Sequence, residues 1–329
     1  MIHPIPPGTR DILPDEMREL RSLHLTMVEV FESRGYGEVA TPAIEYDEVL
    51  ARGDGRTASS AYRFFDERGD LLALRSDMTV PIARLVASRF AAAEEPLRFC
   101  YLANAFRAVR PQRGQMREFA QAGVELIGAP APSGTVEVIE VLEATLDAAG
   151  LDRAVIGLGD ADLFRQLLSE LGVEGEGREA ILTRLATHDL VGLEAELSQA
   201  GIGDEQVATC VALSQLRGGR EVLDQAGAIG GPAVKRATAR LGETFEALEE
   251  RGVAERVRVD LGLLRDLGYY SGAILEVYDP ALGHVLGGGG RYDELLKRFG
   301  VDMPAAGFAL YLERVHVAQT EESRREGGS

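Results

Sequence analysis

Apolar residues recur at three- and four-residue spacing between Asp15 and Ser33. Met17, Leu20, His24, Met27, Val28 and Phe31 share one helical face, and Gly35 is placed to end the helix. Gly37 to Ala40 reads as a short strand stopped by Pro42, and Ala61 to Leu74 as a hairpin around Glu67-Arg-Gly-Asp70. A second helix is predicted from Thr79 to about Ala92, with Ile82, Leu85, Val86 and Phe90 inward. Leu97–Phe106 and Glu118–Ile127 are apolar and strand-like. The segment Arg107–Arg117 between them holds Pro111 and Gly114, which predicts a long loop joining two antiparallel strands. A helix over Ser133–Gly150, a strand over Ala154–Leu158 and a helix over Asp160–Leu171 follow.

The pattern then changes. Residues 174–255 are rich in Ala, Leu, Glu and Gly and read as several short helices, an inserted helical subdomain. Arg256–Val277 returns to strands. Gly283–Gly290 reads as a glycine-rich turn before a helix from Arg291 to Phe299, Gly307–Leu312 as a last strand and Glu313–Gln319 as the start of a last helix. Strands come in antiparallel runs around helical blocks rather than in strict alternation with helices, so the class is α+β. The organisation expected is a first part of the main domain over 1–173, the insertion over 174–255, a second part over 256–320 and a disordered tail over 321–329.

Charge narrows the partners. The 329 residues carry 35 basic and 53 acidic side chains, a net of −18, and the excess of acid lies mostly beyond residue 129. A nucleic-acid binder needs a basic footprint, so nucleic acid is not an expected partner. No stretch approaches the ~18 apolar residues of a membrane span, so no membrane association is expected. The first residues lack the basic-then-apolar pattern of a signal peptide, and two distant cysteines, Cys100 and Cys210, fit a reducing compartment, so a cytoplasmic location is expected. One basic run stands out: Arg98, Arg107, Arg110, Arg113 and Arg117 with no acid among them. Two readings stay open for it, a solvated loop or a site for a small carboxylate or phosphate.

Several chemistries find no footing. Gly287-Gly-Gly-Gly-Arg-Tyr-Asp293 lacks the Gly-Lys-Ser/Thr of a P-loop and the spacing of a dinucleotide fold. The five histidines do not cluster, the cysteines have no metal-ligand spacing, and no Ser-His-Asp set can be assembled, so no metal and no cofactor is expected. The informative stretch is Gln121-Ala-Gly-Val-Glu125. On a strand, 121, 123 and 125 share a face and present an amide, then no side chain, then a carboxylate. That is either a ligand face, with the glycine leaving room for a small molecule, or a solvent-facing strand. Asp77 and Thr79 at a helix start either bind or cap. Arg265 with Tyr269-Tyr270 on a strand is either a contact set or packing.

These pieces, taken in order, resemble the catalytic domain of histidyl-tRNA synthetase, a class II aminoacyl-tRNA synthetase. Thr41-Pro-Ala-Ile-Glu45 resembles its dimer-forming first motif, and Phe106-Arg through Glu118-Phe119 its second motif. Arg265 with Tyr269-Tyr270, and Gly288-Gly-Gly-Arg-Tyr-Asp293, resemble its histidine-specific signatures. Gly307-Phe-Ala-Leu-Tyr-Leu-Glu-Arg314 resembles its third motif. The resemblance implies an antiparallel sheet flanked by helices and a histidine site at Asp77, Thr79, Arg107, Gln121, Glu125, Arg265, Tyr269 and Tyr270. Acids suit an ammonium or a ring N–H, arginines a carboxylate, and a tyrosine hydroxyl a ring nitrogen. Which group meets which stays open.

The departures carry the function. Val109 stands where the synthetase has an ATP-holding glutamate, Gln115 where it has an arginine, Ala120 where it has a histidine, and Tyr311 where a glycine gives the nucleotide backbone access. The sequence ends fifteen residues after Arg314, which leaves no expectation of an anticodon-binding domain. A synthetase-like body with its amino-acid contacts and without its ATP contacts is similar to the regulatory subunits of ATP phosphoribosyltransferase. That family implies a non-catalytic chain with a homodimer core. It joins a short-form catalytic subunit in a hetero-oligomer and confers feedback inhibition by L-histidine on the first step of histidine biosynthesis. The alternative is a stand-alone ligase that forms histidyl-adenylate.

Overall fold

The structure is a computed structural model that describes residues 5–53, 60–94, 96–109, 116–265, 268–280 and 282–326. Twelve strands occur among them: β1 (Gly37–Glu38), β2 (Ile44–Tyr46), β3 (Arg63–Phe65), β4 (Leu71–Leu74), β5 (Leu97–Phe106), β6 (Glu118–Ile127), β7 (Val155–Asp160), β8 (Arg217–Gly218), β9 (Val257–Asp260), β10 (Ala273–Tyr278), β11 (Val285–Arg291) and β12 (Ala305–Tyr311). Nine of them form one sheet in the order β1-β5-β6-β12-β11-β10-β7-β9-β8, and β2-β4-β3 form a small second sheet. The main sheet is antiparallel from β5 through β7 and parallel only at β1–β5 and β7–β9.

β5 and β6 pair over ten residues, from Leu97 opposite Ile127 to Phe106 opposite Glu118. Alternation then sorts the side chains of β6. Ala122, Val124 and Leu126 enter the larger hydrophobic cluster, while Gln121, Gly123 and Glu125 face the other side, where Tyr101, Met78, Ile274 and Tyr292 pack. The first cluster is covered by the helix Pro14–Ser33, which opens on proline with Asp15 and Glu16 in its first turn. Its buried stripe is Leu20, Leu23, Met27 and Phe31. Met17 from the predicted face is exposed, because it lies in the first turn and lines a cavity of about 400 Å³.

Segment 174–255 contributes five helices and the edge strand β8. Its Leu193, Val207, Val234 and Phe245 lie in the same cluster as Val138, Leu142 and Ile156. Arg240 grips the buried Asp160 with two of its guanidinium nitrogens, Nε and Nη2, at 3.0 and 2.8 Å.

Three local readings are corrected. Arg265, Tyr269 and Tyr270 lie between β9 and β10, not on a strand. Gly287–Gly290 are not a turn but the middle of β11, flanked by β10 and β12, and only a short 3₁₀ turn, Leu296–Phe299, forms in the predicted helix after it. The last helix runs from Leu312 to Glu326, so residues 321–326 are not a disordered tail. The anchor is Glu322, which is buried and accepts the backbone N–H groups of Asp152 and Arg153 at 3.2 and 3.3 Å. Residues 327–329 lie outside the described residues.

Candidate ligand pocket

Each predicted site residue reaches one pocket from a different element. Asp77 and Thr79 come from the start of the helix Thr79–Arg89, Arg107 from the end of β5, Gln121 and Glu125 from β6, and Arg265, Tyr269 and Tyr270 from the β9–β10 connection. The structure brings all eight together, with Tyr101, Gly288, Tyr292, Gly307 and Tyr311 completing the wall. The pocket is tight, about 30 Å³, which is room for a water or two.

Glu125 is the hub. It is 1% exposed. Thr79 Oγ1 donates to its Oε1 at 2.7 Å, and the Tyr292 and Tyr101 hydroxyls also hydrogen-bond its carboxyl. Burial pushes its pKa up to about 8, against the pull of those hydroxyls, and nearby Asp77 adds to the rise. Asp77 both lines the pocket and accepts the N–H of Val80 at 3.1 Å, so its capping and pocket roles coexist.

Of the two sequence readings, the face is not a solvent-facing strand, since Gln121 and Glu125 are buried, and the room that a small molecule would have had beside Gly123 is filled. A Cβ there would lie 2.7 Å from the Tyr101 hydroxyl and would overlap the Phe308 carbonyl. The glycine admits the tyrosine that reaches Glu125. Gly288 does the same for Arg265: a side chain on this strand would strike the guanidinium, which donates from Nη1 to the Leu275 carbonyl at 3.1 Å.

Tyr101, Tyr292 and Tyr311 were not among the predicted contacts. Tyr101 sits directly across the sheet from Gly123, a signal that exists only once strand register is known. Tyr311 accepts from Arg107 Nη1 at 3.4 Å and lies under Arg314, whose Cζ is 4.3 Å from the ring centre. Burial would raise its pKa, but Arg107, Arg265 and Arg314 outweigh burial and lower it. Burial first, with the nearby Glu125 carboxyl adding to it, raises Tyr101, Tyr269 and Tyr292 well above the usual phenol value.

Two buried polar atoms in this pocket have no partner, Gln121 Oε1 and Arg265 Nε. One acceptor and one donor, with two acids and two guanidiniums around them, match a small zwitterion. A second cavity of about 490 Å³ lies on the far side of Tyr311 and Arg107, lined also by Arg10, Val109, Phe119, His284 and Arg314. Tyr311 thus stands at the wall of this space without filling it. Among the other departures, Ala120 N–H donates to Glu313 at 3.1 Å, and Gln115 lies outside the described residues.

The family model for histidyl-tRNA synthetase matches residues 8–315. The ATP phosphoribosyltransferase regulatory subunit of Moorella thermoacetica is 42% identical over 319 residues, which are 96% of this chain and 82% of that one. That of Symbiobacterium thermophilum is 41% identical over 321 residues, 97% and 80% of the two chains. This chain belongs to the family of ATP phosphoribosyltransferase regulatory subunits. A crystal structure described as an ATP phosphoribosyltransferase regulatory subunit/histidyl-tRNA synthetase from Bacillus halodurans superposes with a TM-score of 0.88 at 33% identity, covering 97% of this chain and 84% of that one. The histidyl-tRNA synthetase of Nostoc superposes at 0.80 with 22% identity over 98% and 76%, so the family keeps the synthetase fold. No helix among the described residues is long and apolar enough to cross a membrane.

Proposed function

We propose that this chain is the non-catalytic regulatory subunit of an ATP phosphoribosyltransferase and binds L-histidine in the pocket around Glu125. The observation that carries the histidine reading is the pair of unmatched buried atoms, Gln121 Oε1 and Arg265 Nε, inside a wall of acids, guanidiniums and phenols. An amino acid offers each of them what it lacks. A carboxylate satisfies Arg265 or Arg107, and an ammonium or ring N–H satisfies Gln121 and the acids. Membership of the regulatory-subunit family supports the assignment to histidine biosynthesis, in the cytoplasm.

Regulation requires that histidine bind two states of the assembly unequally, since a ligand shifts an equilibrium only by its differential affinity. The partner is a short-form catalytic subunit. The chain forms a homodimer core through the small sheet. Its support is an exposed apolar face on that sheet. Ile44 and Tyr46 stand opposite Leu74 and Leu72, and Phe64 stands opposite Leu72, so these side chains share one side. Ile44, Tyr46 and Phe64 are 48%, 50% and 37% exposed. An uncovered patch of this kind marks an interface.

The test is reconstitution. Phosphoribosyl transfer by the catalytic subunit should be weak alone, rise when this chain is added, and fall again with L-histidine. A catalytic subunit that is fully active and histidine-sensitive by itself would refute the reading.

A further inference from the structure

The pocket has room for only a water or two, so an amino acid enters only if a wall gives way. Most of the wall is pinned. Tyr292 and Tyr101 are bound to Glu125, and Tyr269 packs against both Tyr270 and Tyr292, with ring centres 4.9 and 5.9 Å apart. The β11 and β12 segments that close it, at Gly288 and Gly307, are backbone in the middle of the sheet. Of the residues that line this pocket, Arg107 and Tyr311 also line the 490 Å³ cavity, so these two have open space behind them.

The charges single out Tyr311 of the two. Arg107 has no carboxylate within ion-pair distance among the described residues; the polar contact of its guanidinium is the Tyr311 hydroxyl at 3.4 Å. Arg265 and Arg314 also act on that hydroxyl and favour negative charge on its oxygen. A phenol oxygen set among guanidiniums does the work of an anion.

On the reading of this pocket as an amino-acid site, we propose that Tyr311 is a built-in competitor for the ligand's carboxylate. Its hydroxyl occupies Arg107, and binding swings the ring toward the larger cavity. Tyr311 then sets both the affinity of the pocket and its demand for a carboxylate. It is a specificity residue that acts by being displaced.

The test is calorimetry of the whole chain and of Tyr311→Phe, each titrated with L-histidine and with histamine, which has the imidazole and amine but no carboxylate. The variant keeps the ring that packs on Phe119 and under Arg314. Histidine should bind it about two- to tenfold more tightly, the range for one hydrogen bond that no longer has to be broken. Histamine heats should be the same in both proteins. Histidine binding by the variant alone would also support the proposal. If the wild type binds histidine and the variant binds it no better, the proposal fails and the pocket assignment stands. An equal gain for histamine would mean that space, not carboxylate competition, was limiting, and would also overturn it. If neither protein takes up histidine, the amino-acid reading fails and the proposal with it.

Discussion

Replacing Glu125 with glutamine should change how stability depends on pH more than it changes stability itself. Glu125 has its ordinary value near 4.5 in the unfolded chain and about 8 in the fold, because burial penalises its charged form. Between those values the native protein holds a proton that the unfolded chain has released. The folded value is the higher one, so the contribution is complete below about pH 4.5 and is lost as pH rises toward 8. The slope for one such group is about −1.4 kcal/mol per pH unit, so from about pH 5.5 to 7.5 the wild type should lose about 2.5 kcal/mol through this residue. Glu125→Gln cannot ionise and keeps the size of the side chain and an oxygen for Thr79. Glu322, raised to about 7 by burial and by its hydrogen bond to Asp279, acts in the same direction but is present in both proteins and cancels in the comparison. Urea unfolding of the two proteins at several pH values gives the slopes. The variant's curve should be flatter by about 1 kcal/mol per unit in that window. Parallel curves would mean that Glu125 is ionised in the native protein and that the hydroxyls around it, not burial, set its charge.

Two further predictions follow from the geometry. Gly288→Ala would drive a methyl group into the Arg265 guanidinium and the Leu275 carbonyl. It should cost about 1–3 kcal/mol of stability in thermal unfolding, as overpacking does, and weaken histidine binding at least about tenfold by expelling Arg265. Tyr46→Asp places a charge on the exposed apolar face of β2 and should convert the proposed homodimer to monomer in sedimentation experiments without altering the monomer's circular dichroism. A dimer of unchanged stability would move the interface elsewhere.

Local pattern made the long elements legible. The periodicity of Leu20, Met27 and Phe31 marks the first helix, and the two apolar runs 97–106 and 118–127 match β5 and β6 residue for residue. The errors lie where a distant partner decides. Four glycines in a row signal a turn locally, yet Gly288 is a strand residue because β10 and β12 pair with it on both sides, and it is glycine because Arg265 lies against it. A charged C-terminal stretch reads as frayed, yet Glu322 finds two backbone N–H groups about 170 residues away in sequence. At the site, the alternation of Gln121, Gly123 and Glu125 put these three residues on one face, as the structure has them, but what fills the gap at Gly123 depends on Tyr101 across the sheet. Arg265 and the tyrosine pair read on their own as either a contact set or packing. Only the resemblance to histidyl-tRNA synthetase favoured the contact set, because the segment that bears them is irregular and has no periodicity to sort its side chains.

The central claim is that the pocket around Glu125 reports histidine to a catalytic partner. The most direct test is the histidine sensitivity of the reconstituted phosphoribosyltransferase made with wild-type chain or with Gln121→Ala, which removes the unmatched Oε1 from the pocket wall. The account predicts that the variant still activates the catalytic subunit and that inhibition needs about tenfold more histidine, the cost of one buried hydrogen bond. Activation together with an unchanged inhibition curve would place the inhibitory histidine outside this pocket and contradict the account.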